Sequence, residues 1–558
     1  MHRARLESEE RAPVMPLRGL TLEERLRLGA ASRASGKIDN HNAIERLKIW
    51  RSWFDRDEAP TNGWKDFLAE NNLTEKRLIA LESRSYSKQK LPSWAITLDR
   101  VCRYLERASL EPNDKLSVSE NLAATVVEFA WAELSGCANL QLLSGRADVA
   151  LKQSLLRRLA WTAEQAVTWE MSVAKSAWRV SRDLEPERDL QRYFFSSGVT
   201  KEALRLLKNY PALARLWAVQ IEFWQRYVRD FLKHSASFVR SAGIRAKGAP
   251  IISSIDVDLS DPHEGNRSVL RVNFGKPWFY KPRPGWQERA WFELLGWINA
   301  HGFPRPFWIL KVNSEDRHCW MESVQARPCR NEKEALLFCF RTGALMCLIH
   351  LLRGVDFHPE NLIVAGPHPV VIDCETLLHP ATSLPKYARA EDASIRRTGM
   401  LMLVKRIPVG ILGRQGRGDR LLDELLGGFL AMHDFMRRDG PACGYLQRWA
   451  RGLRKVAARN VYRPTAHYRA LLNQSLTPSL LASGLERSLY LRACCDGTNP
   501  SRRVRAEVAA LQNADVPVFR RKPRGIRFDL SEKTLQQSIS AIRAAFKNGA
   551  DLSARNLK

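Results

Sequence analysis

The chain has 558 residues, of which 45% are hydrophobic and 27% are charged, an ordinary composition for a globular protein with a large buried core. Its net charge of +28 indicates a solvated, arginine-rich surface or an acidic partner such as a nucleotide, an acidic peptide or nucleic acid. A charged N-terminus excludes a secretory signal peptide, and Arg341 and His350 interrupt the longest apolar run, so we expect no membrane span. Ten cysteines without a CxxC pair fit a reducing compartment, and we expect a cytoplasmic protein.

Residues 1–240 have the pattern of a mainly helical region. The segment Thr21-Leu-Glu-Glu24 is a capping box, in which the hydroxyl and the carboxylate satisfy the first free amides of a helix. Helical periodicity follows over residues 120–134, 151–180 and 201–232. We therefore predict a first domain made of helices.

Near residue 250 the pattern changes to alternating apolar and polar residues, which is typical of strands. We predict three strands, an amphipathic helix, two strands, a long helix and a short hairpin, over residues 251–258, 268–274, 278–281, 287–300, 306–312, 318–324, 332–352, 362–365 and 369–372. This order is that of a two-lobed, protein-kinase-like or lipid-kinase-like fold of the α+β class. We predict a mixed part over residues 241–330 and a mainly helical part over residues 331–558.

The loop and hairpin after the long helix carry the residues that phosphoryl transfer needs. A carboxylate must orient the attacking hydroxyl, oxygen ligands must hold a metal ion, and a cation must hold the phosphates. In protein kinases the catalytic Asp and a metal-binding Asn are separated by four residues, and a second metal-binding Asp follows one hairpin later. Asp356 and Asn361 have that separation, and Asp373 lies 17 positions after Asp356.

We therefore assign Asp356 as the base or hydroxyl-orienting group, and Asn361 and Asp373 as magnesium ligands. Lys281, on the third predicted strand, is the candidate phosphate-binding cation. Its ion-pair partner is either Glu288 or Glu293, and the sequence does not decide between them. The alternatives without a catalytic role are a solvated loop with incidental carboxylates for the Asp and Asn residues, and a surface strand that carries a lysine for Lys281.

Several motifs resemble the dehydratase domain of class II lanthipeptide synthetases, the LanM family. The segments Val355-Asp-Phe-His-Pro-Glu-Asn361 and Val371-Ile-Asp-Cys-Glu-Thr376 are similar to its Thr-Asp-x-His-x-Glu-Asn and Asp-x-Glu-Thr motifs. Tyr280-Lys-Pro-Arg283 resembles the lysine strand of the family, and Asp261-Pro-His-Glu-Gly-Asn-Arg-Ser-Val269 resembles its phosphate-side loop. Arg459-Asn-Val-Tyr-Arg-Pro-Thr465 resembles its elimination segment, and Asp515-Val-Pro-Val-Phe519 resembles a late motif of the family.

The resemblance implies a two-step reaction on a precursor peptide that carries a leader segment. Serine or threonine is phosphorylated with ATP and Mg²⁺, and elimination of the phosphate then gives dehydroalanine or dehydrobutyrine. The implied nucleotide-site residues are Lys281, Asp261, His263, Asn361, Asp373 and Glu375. The implied catalytic residues are Asp356, His358 and Lys281 for phosphorylation, and Arg459 and Thr465 for elimination.

The sequence also departs from the family. Ser260 and Val355 stand where the family has Gly and Thr, and Asn266 replaces a common Gly. The zinc cyclase domain usual in the family has no room before Lys558, so we expect no zinc and a possible separate cyclase.

Two other functions stay open. One is a kinase of a peptide or small molecule without elimination, and the other is a non-catalytic, kinase-like peptide-binding module. No signature of a nucleic-acid-binding module is present in the sequence, and we expect no nucleic-acid partner.

Overall fold

A computed structural model describes residues 14–28, 40–55, 63–82, 91–181, 187–244, 251–379, 395–410, 418–438, 441–495, 502–523 and 528–556. The chain is of the α+β class, mostly helical with small sheets. It forms two compact units. We call Met1–Ser268 with Arg463–Pro517 the first unit, and Val269–Tyr462 with Val518–Lys558 the second unit.

The first unit is built almost entirely of helices. They are α1 (Val14–Gly19), α2 (Leu22–Leu28), α3 (Asn40–Phe54), α4 (Gly63–Glu70), α5 (Glu75–Glu82), α6 (Ser93–Arg107), α7 (Val118–Ala132), α8 (Gly145–Ser181), α9 (Glu187–Phe194), α10 (Val199–Asn209), α11 (Pro211–Ser241), α17 (Thr465–Gln474), α18 (Pro478–Leu481), α19 (Gly484–Cys494) and α20 (Arg502–Gln512). The strand predicted over residues 251–258 is shorter than expected, since β1 covers Ser254–Asp256.

The capping box predicted before α2 is confirmed. The Thr21 amide donates to Glu24 Oε2 at 2.8 Å, and the Glu24 amide donates to Thr21 Oγ1 at 3.2 Å. The helical pattern over residues 201–232 is confirmed, but it covers two helices, because α10 ends before Tyr210 and α11 begins at Pro211. The proline ring disfavours helical backbone at the preceding residue, and Tyr210 has a ψ of 73°.

The second unit contains the remaining strands and helices. The strands are β2 (Leu270–Asn273), β3 (Pro277–Lys281), β4 (Val312–Ser314), β5 (Cys319–Glu322), β6 (Leu362–Ala365), β7 (His368–Val371), β8 (Ala458–Arg459) and β9 (Arg520–Arg521). The helices are α12 (Trp286–Ala300), α13 (Glu332–Leu351), α14 (Met400–Gly410), α15 (Gly418–Arg437), α16 (Pro441–Gly452) and α21 (Glu532–Asn556).

Four strands of this unit lie side by side in the order β2-β3-β5-β4, each antiparallel to its neighbour. The register pairs Lys281 of β3 with Cys319 of β5. The strand predicted over residues 306–312 is wrong for most of its length, because β4 begins only at Val312. The hairpin predicted after the long helix is confirmed, with Leu362 of β6 opposite Val371 of β7.

Helix α13 forms the centre of the hydrophobic core of this unit. A Cβ on Gly343 would lie 1.8 Å from the Leu425 carbonyl oxygen of α15, and one on Gly428 would lie 1.8 Å from that of Phe340, so only glycine permits this close helix contact. By length and composition α13 could cross a membrane, which differs from our expectation, but most of its residues are buried in the protein core. Among the described residues it is the one helix of this kind.

Candidate functional site

Lys281 lies buried at the end of β3, where a tight turn brings helix α12 back towards it. A Cβ on Gly285 in this turn would lie 2.5 Å from Cys319 Sγ, so the close approach of the turn to β5 requires glycine. Lys281 Nζ donates to Glu288 Oε1 of α12 at 3.0 Å and to the Ile372 carbonyl at 2.6 Å. Glu288 is therefore the lysine's partner, while Glu293 pairs with Arg289.

Burial alone would lower the pKa of Lys281, but the charges of Glu288 and Asp373 more than offset this effect and raise it. Burial acts in the opposite direction on Glu288, whose pKa is nevertheless held below its ordinary value by Arg283 and Lys281. Both groups are therefore ionised at neutral pH, and Lys281 keeps the positive charge that a phosphate-binding residue needs.

Arg283, two residues beyond the lysine, contacts three carboxylates: Glu288 of α12, and Asp373 and Glu375 after the hairpin. Its Nη2 lies 2.6 Å from Glu288 Oε1 and 2.8 Å from Asp373 Oδ1. Its Nε lies 3.2 Å from Glu375 Oε2. Burial opposes the charge of Arg283, but these carboxylates raise its pKa well above the ordinary value. Arg283 thus links the lysine strand to the segment that follows the hairpin.

The hairpin brings Asn361 and Asp373 to the same end of β6 and β7. The Ile372 amide donates to the Asn361 carbonyl at 3.0 Å, immediately before Asp373. The Asn361 side chain donates from Nδ2 to the Asp356 carbonyl at 2.8 Å, which leaves its oxygen Oδ1 for a cation. Asp373 Oδ1 accepts from Arg283 and from the Glu375 amide, so Oδ2 is the oxygen available to a metal ion.

Asp356 occupies the loop between α13 and the hairpin with a left-handed backbone, at a φ of 65°. Aspartate tolerates this region better than most residues do, and such backbone is common at functional sites. Burial raises the pKa of Asp356, while the charges of Arg459 and His358 oppose that rise. His358 Nδ1 accepts from the Glu360 amide at 3.3 Å, and its Nε2 lies 3.5 Å from Asp356 Oδ1. His358 is therefore placed to orient this carboxylate.

Arg459 joins this group through Glu375. The Arg459 amide donates to the Glu375 carbonyl at 2.7 Å, and Nη1 donates to Glu375 Oε1 at 2.8 Å. Burial would raise the pKa of Glu375, but Arg283 and Arg459 together hold it well below its ordinary value. The predicted residues Lys281, Asp356, His358, Asn361, Asp373, Glu375 and Arg459 all belong to the second unit.

The available side-chain oxygens could hold a magnesium ion only together with oxygen ligands from outside the protein. Among the described residues, no group of three His, Cys, Asp or Glu side chains converges to hold a metal ion. Mg²⁺ commonly takes only one or two protein oxygens and completes its shell with phosphate oxygens and water. The Asn361 amide oxygen and Asp373 Oδ2 could supply these two protein oxygens.

The remaining predicted residues, Asp261, His263 and Thr465, belong to the first unit. Asp261 forms an ion pair with Arg469 of α17, and Thr465 is the first residue of that helix. Pro464 takes the N-cap position, so Thr465 is not the cap of this helix. His263 Nδ1 lies 3.0 Å from the Val516 carbonyl, so the loop after Asp261 contacts the late motif.

The structure places two residues in these contacts that were not singled out from the sequence, Arg283 and Asp515. Arg283 stands two positions after Lys281, a spacing that puts both side chains on one side of an extended chain, and this was the available signal. Asp515 is buried, and it accepts hydrogen bonds from the Gly265 amide at 2.7 Å and the Val516 amide at 3.0 Å. Its contact with a loop 250 residues earlier leaves no local pattern in the sequence.

The chain is similar in sequence to known proteins. The chain is similar to the lacticin 481/lactococcin biosynthesis protein LcnDR2 of Lactococcus lactis subsp. lactis, with 25% identity over 210 residues. That region covers 36% of this chain and 22% of the relative, so the chain matches less than a quarter of that protein's length. The family model described as "Domain of unknown function (DUF4135)" matches residues 210–419 and 404–522, together more than half of the chain. The chain therefore belongs to the family described as domain of unknown function DUF4135.

Proposed function

We propose that this protein is a peptide dehydratase similar to the class II lanthipeptide synthetases. In this proposal it phosphorylates serine or threonine in a precursor peptide with ATP and Mg²⁺, and then eliminates the phosphate. The observation that carries the proposal is that Lys281 and Asp373 belong to one ion-pair cluster around Arg283 and Glu288. The Asn361 carbonyl accepts from the Ile372 amide next to Asp373, and the Asn361 side chain donates to the Asp356 carbonyl. The similar Lactococcus protein, named for lacticin 481 and lactococcin biosynthesis, supports a role of this kind.

Each group has a defined task in the phosphorylation step. When bound, magnesium–ATP supplies the phosphoryl group and neutralises its developing charge. Asn361 Oδ1 and Asp373 Oδ2 would hold the metal, and Lys281 would bind phosphate oxygens. Asp356 would accept or orient the hydroxyl proton of the substrate, with its carboxylate oriented by His358 Nε2.

Elimination requires a base to remove the Cα proton of the phosphorylated residue while the Cβ–O bond breaks. The products are the Cα=Cβ double bond and inorganic phosphate, so each modified residue loses the elements of water relative to the starting peptide. Arg459 would bind the leaving phosphate, because a guanidinium neutralises phosphate through two parallel hydrogen bonds. Glu375 holds this guanidinium in place at 2.8 Å. Thr465 is proposed to assist through its hydroxyl.

Mass spectrometry of a candidate precursor peptide incubated with ATP and Mg²⁺ tests the proposal. We expect a loss of one water mass per modified residue. Asp356→Ala should abolish every modification, and Arg459→Ala should let the phosphopeptide accumulate. Arg451→Ala is the matched control for the second variant, since Arg451 is an exposed arginine of α16 outside the site.

The alternatives give other masses. Gain of a phosphate mass by the wild-type reaction, without water loss, would identify a kinase that stops at the phosphopeptide or acts without elimination. An unchanged peptide with intact ATP would identify a peptide-binding module without catalytic activity. A dehydrated product from Arg459→Ala at the wild-type rate would remove Arg459 from the elimination step.

A further inference from the structure

The cluster around Arg283 contains equal numbers of positive and negative groups. Its cations are Lys281, Arg283 and Arg459, and its carboxylates are Glu288, Asp373 and Glu375. Arg283 contacts all three carboxylates, and its side chain is only 13% exposed. Among the described residues, Asp373 forms its ion pair with Arg283. The proposed metal ligand is therefore already neutralised by a residue of the chain itself.

This balance has a consequence for the order in which ligands bind. A divalent cation that binds without nucleotide meets a cluster with no net charge. It also meets the Asp373 carboxylate, whose Oδ1 accepts from Arg283 Nη2 at 2.8 Å. Anionic phosphate groups can pair with Arg283 and Lys281 instead. The carboxylates that these cations neutralised then carry uncompensated negative charge, which attracts a metal ion. Each ligand therefore favours the other, and by linkage the coupling is the same in both directions.

We infer that Arg283 is a positioning residue that acts as the internal counter-ion of Asp373 and makes metal binding depend on nucleotide binding. The inference rests on the proposed function, because it concerns the same nucleotide and metal site. Arginine suits this role better than lysine because its planar fork pairs with several carboxylates at once. Arg283 reaches Glu288, Asp373 and Glu375 from three of its atoms, and a single ammonium group cannot do so.

Electron paramagnetic resonance of Mn²⁺, which is visible by this method and also prefers oxygen ligands, tests the inference on the full chain. The affinity for Mn²⁺ is measured with and without a non-hydrolysable ATP analogue. For the wild type we expect binding at least about tenfold tighter when the analogue is present, a coupling of ordinary size. Arg283→Gln should tighten nucleotide-free Mn²⁺ binding by about tenfold, since it removes a full positive charge next to Asp373.

The matched control is Arg289→Gln, because Arg289 is an exposed residue of α12 that pairs with Glu293 at 2.8 Å. It should leave both Mn²⁺ affinities unchanged. If Arg283→Gln does not fold, Arg283→Lys replaces it. The lysine variant keeps the charge but loses the fork, and nucleotide-free Mn²⁺ binding should tighten by about threefold.

The failure of this inference is distinguishable from the failure of the proposed function. Wild-type protein that binds no ATP analogue, as measured by calorimetry, would overturn both. If the analogue binds but the Arg283 variant has wild-type or weaker nucleotide-free affinity for Mn²⁺, only the counter-ion role is wrong. If Arg283 had a purely structural role, its replacement would lower the melting temperature without changing the ratio of the two Mn²⁺ affinities.

Discussion

Replacing either partner of the Lys281–Glu288 ion pair should have very different effects on stability. Glu288 is fully buried and has two cationic partners, whereas Lys281 shares its carboxylate with Arg283. In Lys281→Met, Glu288 keeps contacts of 2.6 and 3.2 Å with Arg283 and stays neutralised. In Glu288→Gln, two buried cations lose their common partner. The lysine variant should therefore fold and be inactive, and the glutamate variant should be the less stable of the two.

The expected magnitudes follow from the groups left without a partner. Lys281→Met leaves the Ile372 carbonyl without its donor, at a cost of about 1–3 kcal/mol in the free energy of unfolding. Glu288→Gln breaks a buried ion pair from one side, which costs about 3–5 kcal/mol. For a domain of the size of the second unit, these costs correspond to losses in melting temperature of roughly 6 °C and roughly 12 °C.

Thermal unfolding followed by circular dichroism measures both losses, and peptide mass measures activity. Arg289→Gln again serves as the control, since its exposed ion pair contributes little to stability. An equal loss of melting temperature in the two variants would refute the reasoning, because it would mean that Arg283 does not neutralise Glu288 in the absence of the lysine.

Two predictions concern pH. The pKa of Asp356 is raised by burial and lowered by Arg459, and the ionised form is the active base, so the phosphorylation rate should rise with pH through a pKa above that of an ordinary aspartate. Arg459→Gln should move this rise to higher pH when the rate of phosphopeptide formation is measured against pH. A rise at the same pH as in the wild type would contradict the assignment of Asp356 as the base. Burial raises the pKa of Asp515 from 3.8 to about 6, so its contribution to stability, about 3 kcal/mol, is present below pH 4 and is lost as pH rises through 6. Chemical denaturation at several pH values should show this loss in the wild type and not in Asp515→Asn.

Local patterns in the sequence predicted several elements in each of the two units. The apolar alternation around β2, β3 and the hairpin predicted strands that the structure contains, and Thr21–Glu24 predicted a helix start. The helix break at Tyr210 was missed because the apolar period continues through Pro211, so periodicity outweighed the proline signal. Residues 306–311 were predicted as a strand from a local pattern, which does not fix a pairing partner.

The candidate site could be predicted only as far as its motifs are local. The Asp356 to Asn361 spacing and the following hairpin can be recognised in one continuous segment. Arg283 could not be singled out, since it is one of 88 lysine and arginine residues and two of its three carboxylate partners, Asp373 and Glu375, lie about 90 residues further along the chain. The choice of Glu288 over Glu293 likewise depends on how helix α12 is rotated against β3, which only the packing determines.

The strand pair β8–β9 bears on how the protein can be divided for study. The chain leaves the second unit after Tyr462 and re-enters it at Val518, so neither unit is a continuous piece of sequence. Within the second unit the Tyr462 and Phe519 rings lie 5.0 Å apart, and the Asn460 amide donates to the Phe519 carbonyl at 2.7 Å. A short loop can therefore replace residues 463–517 and yield a continuous gene for this unit, whereas a simple truncation at residue 462 would remove β9 and helix α21. On the ribosome, the same connectivity delays completion of the second unit until its last helix has been synthesised.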